Sequence, residues 1–151
     1  MCIRDRVSAN PYYVKTLSDL YSREGVGYER SQNMVRLGDL EKENILFSLH
    51  SDMPMAPASP LTLMDAAINR LNFANEVAGP HQRISKLAAL KAMTINAAHV
   101  MQIEDMYGSI SKGKFANFTV LSENPLKIEK LRIKSIKVRG TFSKGTYFPV
   151  K

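Results

Sequence analysis

The run Leu46-Phe47-Ser48-Leu49-His50-Ser51-Asp52-Met53-Pro54 constrains this chain more than any other. A short apolar stretch stops at His-Ser-Asp, and prolines follow at Pro54, Pro57 and Pro60. The pattern predicts a buried strand that hands polar side chains to the rim of a sheet. In folds built on parallel strands, the carboxyl ends of the strands gather ligands and chemistry. Asp52 is therefore the leading catalytic candidate. The ordinary role of a loop Asp is a turn or a helix cap, so the rest of the chain must support the choice.

The surrounding periodicity gives the organisation. Val7 to Tyr13 reads as a strand running into a turn at Pro11, and Val14, Leu17, Leu20 and Tyr21 recur at helical spacing until Gly25 and Gly27. Gly27 to Asn44 is polar and predicts a loop with a short helix. Leu61, Met64, Ala67, Ile68 and Leu71 form one helical stripe, with Ser59 and Pro60 placed as N-cap and first residue. Asn72 to Gln82 reads as a loop around Gly79-Pro80. Ser85 caps a second helix carrying Leu87, Leu90, Met93, Ala97, Ala98 and Met101, which ends near Gln102. Beyond Gly108 the period shortens to strands at Phe115 to Leu121, Ile133 to Val138 and Thr146 to Val150. The order predicts an α/β segment followed by a small β-domain. Two parallel strands are buried on both faces and need neighbours, so the α/β segment reads as the C-terminal part of a larger sheet protein.

Charge and composition narrow the function classes. The net charge of +7 sits entirely in residues 112–151, where ten Lys/Arg face only Glu123 and Glu129. Such a tail fits either a solvated β-face or a basic module that binds nucleic acid. The lysines alternate with apolar residues and are not interleaved with stacking aromatics, which favours the solvated face. No apolar run approaches the length of a membrane helix. Cys2 is the single cysteine, which excludes an internal disulfide and a Cys-rich zinc site. Met1 to Arg6 has no apolar leader and reads as foreign to the natural protein. With no leader to read, the cytoplasm is the default compartment.

Several pieces carry a family resemblance. His50-Ser51-Asp52-Met53-Pro54-Met55-Ala56-Pro57 with Pro60-Leu61 resembles the last barrel strand and following loop of the amidohydrolase superfamily, in the branch with N-substituted formamide deformylases. Ala67-Ile68-Asn69-Arg70 and Ala89 to Ala98 are similar to that branch's next two helices. Gly108-Ser109-Ile110 with Lys112-Gly113-Lys114-Phe115-Ala116-Asn117-Phe118 is similar to its entry into the C-terminal β-domain, with Asn117 where the family usually has Asp. The pieces arrive in the family's order.

The resemblance implies residues 7–106 as the end of a (β/α)8 barrel, with its last two strands and helices. It implies residues 107–151 as strands of a composite β-sandwich, and residues 1–6, already read as foreign, stand outside both parts. It implies a metal-dependent hydrolase acting on carbon–nitrogen bonds, other than peptide bonds, in a small amide-type substrate. A divalent metal, zinc first, would be held by ligands that lie mostly upstream, so these residues alone are expected to be inactive. Of the family's ligands only the last Asp is present, as Asp52, whereas His81 and His99 match no ligand position. A metal lowers the pKa of a water it binds, and a carboxylate beside it can take that proton and return it to the departing amine. His50, on Asp52's side by strand alternation, either shapes the substrate pocket, hydrogen-bonds near the metal or is structural. Asn10 and Tyr12 alternate on the first strand and are candidates to line the same pocket.

Overall fold

The computed structural model describes residues 6–150; Met1 to Asp5, including Cys2, lie outside the described residues. Its centre is a parallel pair, β1 (Val7–Ala9) and β2 (Phe47–Leu49), registered Val7 to Phe47, Ser8 to Ser48 and Ala9 to Leu49. The period of two puts Val7, Ala9, Phe47 and Leu49 on one face, where they join the main core with Leu37, Met64, Ala67, Ile68, Ala89 and Ala92. Ser8, Ser48 and His50 take the other face. Burying Phe47 and Leu49, 3% and 5% exposed, stabilises by roughly 1.5–3 kcal/mol each.

Between the strands run α1 (Tyr12–Leu20), a π-helical turn (Tyr21–Gly25), α2 (Tyr28–Gln32) and α3 (Leu37–Lys42). The strand expected over residues 7–13 is thus shorter. Pro11 has helical φ and ψ, and Tyr12 opens a helix instead of continuing the strand. The stretch expected as a loop with one short helix holds two, anchored by fully buried Leu37. α4 (Pro60–Asn69) follows the expected stripe with Pro60 at its start. Ser59 does not cap it through a backbone N–H; its hydroxyl meets that of Thr62 at 2.8 Å. Ser85 does cap α5 (Lys86–Met93), accepting from the Ala88 N–H at 3.0 Å. The single helix expected there breaks at Thr94, whose φ −127° and ψ −98° separate α5 from α6 (Ile95–Met101).

The remaining sheet is antiparallel: β3 (Phe118–Leu121), β4 (Val138–Ser143) and β5 (Thr146–Pro149), with β4 central. The strand expected at residues 133–138 is instead a 3-10 helix, Lys130–Ser135, and β4 begins after it. Ile133 in this helix and Ile136, the residue that ends it, bury at 0% and 4%; the closing bond from the Ile136 N–H to the Ile133 carbonyl lets both reach the core, whereas residues three apart on a strand face opposite sides. The β4–β5 hairpin turns on Lys144 and Gly145, both at positive φ (48° and 86°), the requirement of a two-residue primed turn. Asn117 Oδ1 accepts from the Lys144 N–H at 2.7 Å and so ties the approach to β3 to this hairpin. Phe118, Phe142 and Tyr147 stack across one face. A Cβ on Gly140 would come within 2.5 Å of the Tyr147 ring, which explains the glycine there.

The candidate site at the strand tips

Because β1 and β2 are parallel, both carboxyl ends open at one edge of the sheet. The chain leaves β2 through His50, whose N–H donates to the Ala9 carbonyl at 3.0 Å. Asp52 follows at φ 55°, a left-handed conformation that Asp and Asn tolerate better than most residues. Its carbonyl accepts from the Met55 N–H at 2.8 Å, closing a tight turn. The Asp52 side chain is exposed, and no hydrogen bond or ion pair occupies its carboxylate among the described residues. The left-handed turn also takes Asp52 out of strand alternation, so the expectation that alternation aligns it with His50 does not extend that far.

His50 is exposed on the polar face, and its Nδ1 lies 2.8 Å from Ser8 Oγ on the neighbouring strand. Ser8 escaped the sequence reading, since only the strand register brings it to His50. Asn10 and Tyr12 both sit at the tip but are buried, each 4% exposed. Asn10 Nδ2 donates to the Ser51 carbonyl at 3.2 Å, and its Oδ1 accepts from the Tyr12 N–H at 3.0 Å. The Tyr12 hydroxyl donates to the Pro57 carbonyl at 3.2 Å. Burial raises the Tyr12 pKa, offset in part by hydrogen bonding with Thr62.

The other histidines are engaged elsewhere. His81 Nε2 lies 2.9 Å from Asn33 Oδ1, and His99 Nδ1 lies 3.1 Å from Glu104 Oε1. Among the described residues no group of three or more His, Cys, Asp or Glu is placed to hold a metal ion. The donor chemistry of the tip fits one ligand position, Asp52, and cannot complete a site by itself. Two clefts, of about 320 and 290 Å³, lie away from the tip and are not lined by Asp52 or His50. No helix among the described residues is long and apolar enough to cross a membrane.

Comparison with known proteins places these features in a family. A family model described as "Amidohydrolase family" matches residues 6–147. An N-substituted formamide deformylase from Arthrobacter pascens is 33% identical over 98 residues, 65% of this chain and 18% of that protein. Protein LONG AFTER FAR-RED 3 from Arabidopsis thaliana is 40% identical over 82 residues, 54% of this chain and 14% of that protein. A crystal structure of an uncharacterized metal-dependent hydrolase from Pyrococcus horikoshii superposes with a TM-score of 0.69 at 29% identity, covering 84% of this chain and 26% of that one. The chain thus spans about a quarter or less of the length of these relatives. The chain belongs to the amidohydrolase family.

Proposed function

We propose that these residues form the C-terminal part of a metal-dependent hydrolase that cleaves carbon–nitrogen bonds, other than peptide bonds, in small amide-type substrates. In this reading β1 and β2 are the last two strands of a (β/α)8 barrel, and β3 to β5 belong to a composite β-sandwich. One observation carries the proposal. An exposed carboxylate with no partner among the described residues projects from a fixed turn at the carboxyl end of a parallel strand pair.

A divalent metal, zinc first, would be held by Asp52 and by ligands outside residues 6–150; when bound it polarises a substrate carbonyl and acidifies water. The chain's own contribution is proton transfer. The Asp52 carboxylate, engaged by no group among the described residues, is placed to accept a proton from the attacking water, and its exposed position lets it deliver that proton to the leaving amine. His50, exposed and held by Ser8 through Nδ1 two residues before Asp52, is the residue we assign to shaping the substrate pocket. With one ligand present, the 151 residues alone are expected to be inactive. The basic residues of 112–151 read as a solvated face, with no nucleic acid as partner.

The test is Asp52→Asn in the full-length protein. Asn keeps the volume and tolerates the positive φ, so folding is preserved while the base is lost. The expected result is a fall in kcat of roughly 10³-fold, at the scale of a general base, with unchanged Tm. Activity within a few-fold of wild type removes Asp52 from the chemistry.

A further inference from the structure

We infer that Asn10 and Tyr12 form a bracket that positions Asp52, acting as positioning residues and not as substrate contacts. The inference rests on the proposed role of Asp52 and assigns to these two residues the job of fixing it.

The segment from Ser51 to Pro57 is the only connection between the end of β2 and the approach to α4, and it carries Asp52 near its start. Asn10 holds one end of it, donating from Nδ2 to the Ser51 carbonyl at 3.2 Å, one residue before Asp52. Tyr12 holds the other end, donating from its hydroxyl to the Pro57 carbonyl at 3.2 Å. The two holders are themselves joined, since Asn10 Oδ1 accepts from the Tyr12 N–H at 3.0 Å. That third bond fixes the orientation of the Asn10 amide. Reversing it would set NH2 against N–H at one end and carbonyl against carbonyl at the other.

Chemistry and burial both argue for this role. The three bonds occupy Asn10 Oδ1, one Asn10 Nδ2 hydrogen and the Tyr12 hydroxyl proton. Both residues are 4% exposed, whereas Asp52 beside them is exposed. A substrate contact needs a free polar atom facing the opening; a positioning residue needs its polar atoms engaged with backbone. Carbonyl groups are the right handles, because fixing the Ser51 and Pro57 carbonyls fixes the backbone of the loop without touching the Asp52 carboxylate. The Met55 N–H to Asp52 carbonyl bond of 2.8 Å then sets the turn inside the bracketed segment. Displacement of a reacting group by about 1 Å costs up to ~10²-fold in rate, so a bracket of this kind governs kcat at a distance.

The experiment uses the full-length protein with two variants. Tyr12→Phe removes the hydroxyl and keeps the packing. Asn10→Ala removes both Asn10 bonds. Expected are falls in kcat of roughly 10-fold for Tyr12→Phe and up to 10²-fold for Asn10→Ala, with KM within two-fold of wild type. Amide hydrogen exchange supplies a readout independent of turnover. Exchange at the Met55 N–H accelerates in Tyr12→Phe, while exchange at Ala89 in the core helix α5 stays at the wild-type rate. Should Asn10→Ala fail to fold, Tyr12→Phe alone decides. A rise in KM at unchanged kcat, or Met55 exchange at the wild-type rate, overturns the bracket. An active Asp52→Asn enzyme overturns the proposed function instead, and the Met55 exchange rate still decides whether the bracket exists.

Discussion

Replacing Arg70 by Met is the sharpest test of how this fold holds together. Arg70 ends α4 at φ 52° and is 1% exposed, with no ion-pair partner among the described residues. Its guanidinium donates to three backbone carbonyls: Nε to Ala78 at 2.6 Å, Nη1 to Val35 at 3.0 Å and Nη2 to Met34 at 2.8 Å. One side chain thereby joins the end of α4, the segment before α3 and the loop after α4. Each hydrogen bond from a charged donor contributes about 1.5–3 kcal/mol net of its exchange with water, so three set a range of roughly 4.5–9 kcal/mol. Burial first, and the nearby Arg83 charge second, bring the Arg70 pKa down to about 10 from 12.5, which places this side chain at the low end of that range. Met, of similar length but without donors, is therefore expected to lose about 4 kcal/mol. With a urea slope of about 2 kcal/mol per molar, the unfolding midpoint drops by roughly 2 M. Arg70→Lys keeps the charge and reaches fewer carbonyls, so it falls between. A loss below about 1 kcal/mol for Arg70→Met would refute the reasoning, because the three carbonyls would then have found other donors.

Two further outcomes follow from local chemistry. Asp65 is buried at 7% exposure, and desolvation raises its pKa despite the hydrogen bond from Asn69 and the charges of Lys134 and Lys15. The folded state therefore holds the proton to higher pH than the unfolded state, and stability falls as pH rises from the ordinary 3.8 through the raised value. Asp65→Asn keeps an oxygen for the Asn69 amide at 2.8 Å, so it should raise Tm at pH 7. That gain should vanish below the ordinary carboxylate range; a gain that persists in acid contradicts the assignment. Ser85→Ala removes the α5 cap and should cost about 1 kcal/mol in chemical denaturation, with no change in activity of the full-length protein.

The sequence was most legible where local chemistry and tertiary packing demand the same thing. The Phe47–Leu49 strand, the α4 stripe and the Ser85 cap are of this kind. Each is set by a short-range pattern that the core then reuses. The break at Thr94 was hidden because α5 and α6 continue one apolar stripe, so the period survives the interruption. Only the backbone reveals it: Thr94 N–H closes onto the Lys91 carbonyl and its hydroxyl onto Leu90. Ile133 to Val138 misled through β-propensity. Its branched residues fit a strand, but the three-residue spacing of Ile133 and Ile136 and the buried surface of α4 select the 3-10 turn. At the tip, Asp52 was readable from its position after an apolar run. The holders Asn10 and Tyr12 were noticed as polar residues near a strand end. Their bonds to Ser51 and Pro57 depend on contacts across more than forty residues of chain, which no local pattern encodes.

The outer edge of the parallel pair bears on the role proposed for Asp52. Along a strand, successive backbone groups point to opposite edges. The His50 N–H points to Ala9, so the Phe47 and Leu49 groups point away from β1. On that outer edge Asn96 of α6 donates its Nδ2 to the Phe47 carbonyl at 3.0 Å. The edge is thus closed at its base by a helix side chain, whereas the Leu49 groups, one step nearer the tip, have no backbone partner among the described residues. A buried strand does not leave such groups unpaired without cost. In the proposed barrel reading, a parallel neighbour would satisfy them by pairing with β2 from Leu49 onward, which would carry its carboxyl end to the level of Asp52. In that reading, the Asn96 bond at the base of the edge leaves the pairing to the end of the sheet that carries the exposed carboxylate, where ligands from several strands would meet.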